Sequence, residues 1–386
     1  MSAVPIDAHD SGRQSIRDEL EHDELSKHRM ETIMNAQRKT AAGDAMFTDS
    51  RFDRHPRAQL FEGPTPIQRL HRVEAALAPA LNGARMFVKR DDAMNLGGGG
   101  NKLRKLEFLF GEAIEQGADT IIATGPRQSN SARLAAAAAA SLGLRCELGL
   151  RPLAADDDVD YRDSGNTLLD SLFGATVRVL ADAAAIGAFV AERKAALEAE
   201  GRVGYVLPPG ASSPQASLGY AECAFEIADQ ELAMGLQFDR VVVANGSAGT
   251  QAGLVAGFAL LGRHALVHGY SVLADEAVAH ANTLAMARGC VALLAGDDEV
   301  RANDVIVSDA HRGPGYGQLT REAVDAVRFL ASHEGLLLDP VYSAKAFAGL
   351  LGQARRGEFA REENILFIMT GGTPALFAYR ELLSGP

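Results

Sequence analysis

Cysteine is scarce in this 386-residue chain. Cys146, Cys223 and Cys290 stand far apart, are odd in number, and form no CxxC or His/Cys spacing. That excludes a disulfide framework and a sequence-evident zinc site, and leaves three small buried hydrophobes in a reducing compartment. Basic residues are also in deficit: 38 Lys and Arg face 50 Asp and Glu, a formal net charge of −12 at pH 7. Such a balance argues against a general nucleic-acid partner, whose affinity rests on neutralising phosphates. Long apolar runs are missing too. The alanine stretch 135–140 is too short and too weakly apolar to span a bilayer. The opening MSAVPIDAHDSGRQS lacks the basic start and apolar run of a secretory signal. The expectation is a cytoplasmic protein with no membrane partner. Proline, at 14, is sparse beside 39 glycines. Many tight turns and close backbone approaches are needed, but few rigid bends.

What is present fits a folded enzyme-sized body, with 47% apolar and 23% charged residues. Residues 1–60 read as an extension that mixes both charge signs. Ile16, Leu20, Leu25 and Met30 fall on one stripe of a possible amphipathic helix, packed on the body or a partner, or left as a loose tail. His9, His22, His28 and His55 lie in this extension without the spacing of a compact site, so no metal is expected.

From Phe61 onward short apolar strands alternate with helices. ARMFVKRDD, DTIIATG, RCELGL, ATVRVL, GYVLPPGAS, FDRVVVANG, HALVHGYSV and NILFIMTGG read as strands. Helices are expected after GGGGNK, through SARLAAAAAASLG and AFVAERKAALEA, up to about Met234, and from Gln251. This is the signature of an α/β protein with parallel-type sheets covered on both faces. Such sheets put their working loops beyond the carboxyl ends of the strands, and most glycine clusters fall there.

Three of those loops carry chemistry. Gly97–Gly100 runs through Asn101, a plausible cap, into a helix with Lys102 in its first turn. Alone the run reads equally well as a flexible turn. A cation at a helix N-terminus is electrostatically misplaced, which depresses its pKa and suits a nucleophilic amine. Lys105 either deepens that depression or is a solvated surface lysine. Ser129 and Asn130, after Gly125-Pro126-Arg127-Gln128, either cap the next helix or bind a carboxylate there. Ala244–Thr250 is rich in small residues, so its backbone N–H groups can turn around an anion while Ser247 and Thr250 offer hydroxyls. It is neither a Walker loop nor a GxGxxG fingerprint.

The order of these pieces resembles the fold-type II pyridoxal-phosphate enzymes, in particular the 1-aminocyclopropane-1-carboxylate deaminase/D-cysteine desulfhydrase family. The resemblance rests on PTPIQRL at 64–70, GGNKLRKLEFL at 99–109, QSN at 128–130 and SGNTLLDSLFGA at 164–175. It continues through GTQAGLVAG at 249–257, GPGYG at 313–317, DPVYSAKAF at 339–347 and TGGTPALFAY at 370–379. It implies a tryptophan-synthase-beta-like α/β fold of two open twisted sheets with covering helices. A large cofactor-binding domain would take residues 61–104 and 221–386, and a small domain 105–220. The cofactor implied is pyridoxal 5′-phosphate, carried by Lys102. Asn101 and Thr370 would meet the cofactor, while Ser247, Ala248, Gly249 and Thr250 would hold its phosphate. Arg127, Gln128, Ser129, Asn130, Tyr316 and Tyr342 would surround an amino-acid substrate, with Ser129 and both tyrosines beside Lys102 in catalysis. Relatives are dimers, so a homodimer is expected.

The deaminase branch resembles DPVYE, whose glutamate keeps the pyridine nitrogen protonated and the ring a strong electron sink. This chain has Ser343 at that position. A neutral hydroxyl favours β-elimination of a good leaving group over cyclopropane opening. The reading is therefore a D-cysteine desulfhydrase-like lyase giving pyruvate, ammonia and sulfide. L-Cysteate sulfo-lyase activity, with Arg127 pairing the second anion, stands as an alternative. So do the deaminase itself and a non-catalytic amino-acid-binding relative.

Overall fold

In the computed structural model, residues 49–153, 158–294 and 300–384 are described, and all belong to one unit, Met46–Pro386. The helix expected around Ile16–Met30, with His9, His22 and His28, lies outside them. Among the described residues, ten strands form two sheets. The larger contains β1 (Ile67–Arg69), β2 (Arg85–Lys89), β7 (Arg240–Asn245), β8 (Val267–Ser271), β9 (Ile306–Ser308) and β10 (Asn364–Ile368), in the order β1-β2-β10-β7-β8-β9. All neighbours are parallel except β1, which runs antiparallel to β2 at the edge. The smaller sheet is wholly parallel, in the order β5-β4-β3-β6, from β3 (Thr120–Pro126), β4 (Arg145–Arg151), β5 (Thr176–Val179) and β6 (Gly204–Val206).

The β7 run shows why these strands read as unbroken apolar segments. Val241 and Val243 enter one core, against Leu254 and Phe258; Val242 and Ala244 enter the opposite core, against Phe347 and Phe367. Successive side chains of a strand point to opposite faces, so a sheet covered twice needs apolar residues at every position. The small sheet repeats the device: Ile121 and Ala123 face one cluster, Ile122 the other.

Helix Pro214–Met234 crosses helix Gly249–Leu260 at close range. A Cβ on Gly253 would lie 2.3 Å from the Ser217 carbonyl oxygen, and one on Gly257 2.3 Å from that of Ala221. The glycine spacing of GTQAGLVAG is therefore a packing requirement. Cys146, Cys223 and Cys290 are free and buried, as their composition suggested. Among the described residues, no helix is long and apolar enough to cross a membrane.

Candidate active site

The parallel strands of the larger sheet deliver their following loops to one side, beyond their carboxyl ends. There β2 leads toward the Gly97–Gly100 run, β7 into Gly246–Thr250, and β10 into Thr370. Between them opens a cleft of about 410 Å³, counted out into solvent. It is lined by Asn101, Lys102, Asn130, the Gly246–Thr250 loop, Tyr342 and Thr370.

Lys102 begins helix Lys102–Glu115, and the loop before it leaves no room for a side chain at Gly97, Gly99 or Gly100. Gly99 has φ of +71°, and a Cβ there would sit 2.4 Å from the carbonyl oxygens of Asp92 and Met94. Behind the lysine the helix is anchored by a buried charge network. Arg104 bonds Asp91 (Nε to Oδ2, 3.1 Å) and Glu226 (Nη1 to Oε2, 2.7 Å), and Lys89 also pairs with Glu226. Burial alone would raise the Glu226 carboxyl, but Arg104 and Lys89 outweigh it and hold it at about 2. Two cations and two carboxylates thus compensate each other inside the protein.

Lys102 Nζ donates to the Gly210 carbonyl at 3.1 Å. Burial pulls its amine down to about 8, against the opposing influence of Lys105 and Asp339. Lys105 is fully buried, donating to Gly210 O at 3.1 Å and Ser212 Oγ at 2.6 Å. Burial first, then the Lys102 charge, drives its amine well below the ordinary lysine range. The solvated reading of Lys105 is thus corrected: its partners lie over 100 positions away, where local sequence cannot show them.

Asn101 does not cap its helix. Its backbone is already helical, at φ −51° and ψ −23°, and its amide donates instead to Thr250 Oγ1 at 2.9 Å. Ser129 does cap, accepting the Ala132 N–H at 3.1 Å, which leaves its own hydroxyl hydrogen for another acceptor. Asn130 donates to Asp339 Oδ2 at 2.9 Å and accepts from Asn166 Nδ2 at 2.9 Å. Asp339 Oδ1 in turn accepts the N–H groups of Val341 (2.9 Å) and Tyr342 (2.6 Å). Burial raises the Asp339 carboxyl to about 6, although these donors pull the other way. The Tyr342 hydroxyl bonds that of Tyr316, and burial pushes both phenols up, so both stay protonated near neutrality. Ser343 is fully buried, with Oγ 2.7 Å from Thr370 Oγ1.

The expected residues therefore divide. Asn101, Lys102, Asn130, Ser247, Ala248, Gly249, Thr250, Tyr342 and Thr370 line one cleft, and Tyr316 reaches it through Tyr342. Arg127, Gln128 and Ser129 lie off the lining, Ser129 at the N-cap just before Asn130. Arg127 extends β3 through its N–H to Arg151 O at 2.9 Å. The Gln128 amide donates to Tyr161 O (2.6 Å) and Ser164 O (2.9 Å) and accepts the Asn166 N–H (2.8 Å). Sequence reasoning missed Gly210, Ser212 and Asp339; only Asp339 had a signal, as the first residue of DPVYSAKAF.

The donor set fits a phosphate ester. A Cβ on Gly249 would stand 2.7 Å from Ser212 Oγ and 3.2 Å from Lys105 Nζ, filling the space those donors face. Ala248 holds φ of +65°, a strained backbone for a residue with a side chain, just where the loop turns into helix Gly249–Leu260. The first N–H groups of that helix lack intrahelical partners.

The profile of the "Pyridoxal-phosphate dependent enzyme" family matches residues 58–371. D-cysteine desulfhydrase of Klebsiella pneumoniae (strain 342) is 41% identical over 327 residues, covering 84% of this chain and 97% of the relative. The Yersinia pestis protein of the same name is 40% identical over 336 residues, 86% of this chain and 99% of the relative. Among solved structures, an ACC deaminase homologue superposes with a TM-score of 0.77 at 37% identity, over 88% of this chain and 98% of its own. A pyridoxal 5′-phosphate-dependent aspartate racemase shares the fold alone, with a TM-score of 0.56 at 14% identity over 84% and 92%.

Proposed function

The chain belongs to the fold-type II pyridoxal-phosphate-dependent enzymes, as a β-eliminating lyase resembling D-cysteine desulfhydrase, and from that premise we propose that it releases sulfide from D-cysteine. The balance is D-cysteine plus water to pyruvate, ammonia and hydrogen sulfide. When bound, pyridoxal phosphate supplies the ring that withdraws electrons from the substrate's Cα.

The chain's own residues do the rest. Lys102 Nζ, with its amine brought down to about 8, accepts the Cα proton. Ser129 Oγ–H and the N–H groups opening helix Asn130–Leu142 hold the substrate carboxylate. The neutral Tyr316–Tyr342 pair keeps a hydroxyl hydrogen beside the departing sulfur. Lys105, Ser212, Ser247 and the Ala248–Thr250 turn would hold the cofactor's phosphate, and Asn101 and Thr370 would meet the cofactor.

The observation that carries elimination over cyclopropane opening is the buried Ser343–Thr370 hydroxyl pair. It offers no carboxylate where the deaminase branch has one. D-Cysteine, L-cysteine, cysteate and 1-aminocyclopropane-1-carboxylate form the test panel. Sulfide with pyruvate from D-cysteine is expected. Sulfite from cysteate without sulfide, or 2-oxobutyrate from the cyclopropane substrate, would overturn the assignment.

The same reading takes the chain as a cytoplasmic homodimer, with the three buried free thiols in support of a reducing compartment. Light scattering tests the dimer. It also divides the body into a large domain, 61–104 and 221–386, and a small one, 105–220. All four strands of the smaller sheet come from residues 120–206, in keeping with that division.

A further inference from the structure

Tyr316 sits in a loop with little structure of its own. Gly313, Pro314, Gly315 and Gly317 surround it, and Gly313 and Gly317 hold φ of +73° and +76°. Ordering such a segment costs backbone entropy, so something must hold it. Tyr316 packs against the cluster of Tyr161, Val341, Ala378 and Tyr379, and among the described residues two side-chain hydrogen-bond attachments also reach residues 312–318 from other elements. One is the Tyr316–Tyr342 hydroxyl bond itself. The other is Lys345, whose Nζ donates to Arg312 O at 2.6 Å and reaches Gly315 O at 3.4 Å.

Lys345 is a costly way to fill that space. Its side chain is fully buried, rather than running along the surface with its head in water. It also lies in the first turn of helix Ser343–Arg355, the end where a cation opposes the helix dipole. Burial, and then the Arg312 charge, pulls its amine down to about 8, with Asp339 opposing. A methionine would fill a similar volume without that penalty. What the ammonium adds is its bonds to the loop.

Tyr342 immediately precedes this helix, three residues before Lys345. One helical turn therefore fixes Tyr342 directly and grips the segment that presents Tyr316. We propose that Lys345 is a positioning residue that sets the Tyr316 hydroxyl against Tyr342 by pinning the Arg312 and Gly315 carbonyls. Its catalytic consequence rests on the reading that this tyrosine pair serves the elimination.

Lys345→Met holoenzyme is the test, read first by amide hydrogen exchange. Losing charge-assisted bonds should speed exchange about tenfold or more in the segment Arg312–Gln318, leaving helix Arg321–Glu334 unchanged. Turnover of D-cysteine should fall about 10- to 100-fold with the cofactor absorbance retained, as in Tyr316→Phe. The double variant should lose little more than either single one. Wild-type exchange in the loop, or fully additive losses, would overturn the proposal. Should Lys345→Met fail to fold, Lys345→Gln keeps one donor; exchange intermediate between wild type and free loop supports the clamp, and wild-type exchange sinks it. If the wild-type holoenzyme releases no sulfide from D-cysteine, the functional reading falls, while loop exchange still decides the clamp.

Discussion

Lys102 and Lys105 converge on one acceptor: each Nζ lies 3.1 Å from the carbonyl oxygen of Gly210. Two buried amines sharing a carbonyl repel one another, and burial disfavours both charges. The arrangement becomes favourable when an anion arrives. A phosphate beside Lys105 would restore that lysine's charge and leave Lys102 as the free amine, dividing the pair into one binding group and one reacting group.

Lys105→Met should therefore weaken cofactor binding without preventing its attachment to Lys102. A hydrogen bond to a charged group contributes about 1.5–3 kcal/mol, which corresponds to a loss of about 10- to 100-fold in affinity. Titration of apoprotein with pyridoxal phosphate, followed by absorbance, measures the loss. Pyridoxal lacking the phosphate should bind wild type and variant alike; an equal loss for both ligands would place Lys105 elsewhere in the chemistry.

The lowered amine of Lys102 also sets a pH dependence. The folded protein binds fewer protons than the unfolded chain between about 8 and the ordinary lysine value near 10.4. The group's penalty on folding is thus full below pH 8 and is relieved as pH rises through that window. Only the neutral amine attacks an aldehyde, so the rate of cofactor attachment should rise with a midpoint near pH 8. Stopped-flow absorbance reads this directly. A midpoint above 10 would mean that Lys102 is a solvated lysine.

How far the site was legible depends on whether its cause is local. The glycine and small-residue loops after β7 and before Lys102 were readable, because tight turns and close approach demand those residues wherever the loop folds. The strands read as apolar runs because a twice-covered sheet needs them. The three-residue β1 and β9 were not readable, because the polar Gln68 and Arg69 in one and Ser308 in the other leave no apolar run. Lys105, Arg104 and Glu107 look like the polar side of an amphipathic helix, yet all three are buried. Their compensating partners, such as Ser212, Glu226 and Arg57, are distant in sequence, and only the tertiary fold supplies them. Asn101 failed as a cap for a different reason: a residue with helical backbone angles cannot turn its side chain onto the first free N–H groups.

Gln128 illustrates a motif residue whose part is indirect. Its amide joins the backbone at Tyr161, Ser164 and Asn166, and Asn166 in turn donates to Asn130 in the cleft. Gln128→Ala should leave several buried partners unsatisfied and cost about 1–3 kcal/mol of stability in chemical denaturation. The substrate KM should rise with it, since Asn130 loses its support. A variant with unchanged stability and raised KM would instead make Gln128 a direct substrate contact.

Gly249 offers the cleanest separation of fold from binding. A methyl group there meets Ser212 Oγ at 2.7 Å, Ser212 Cβ at 3.1 Å and Lys105 Nζ at 3.2 Å, so the hydroxyl and the amine turn aside and Ser212 yields slightly. Its backbone has no positive φ among the described residues, so alanine introduces no conformational strain at that position. Gly249→Ala apoprotein should fold but unfold somewhat below the wild-type temperature, because the buried Lys105–Ser212 bond is disturbed. The displaced hydroxyl and amine are the groups that would meet the phosphate, and the methyl occupies the space between them. Affinity for pyridoxal phosphate should fall by about 100-fold, the loss of roughly two charge-assisted bonds at the lower end of their range. Paired melting curves of apoprotein and holoprotein decide it: the cofactor's stabilising shift, measured from each protein's own apoprotein curve, should shrink in the variant. An undiminished shift would mean that the phosphate sits away from Gly249, Ser212 and Lys105.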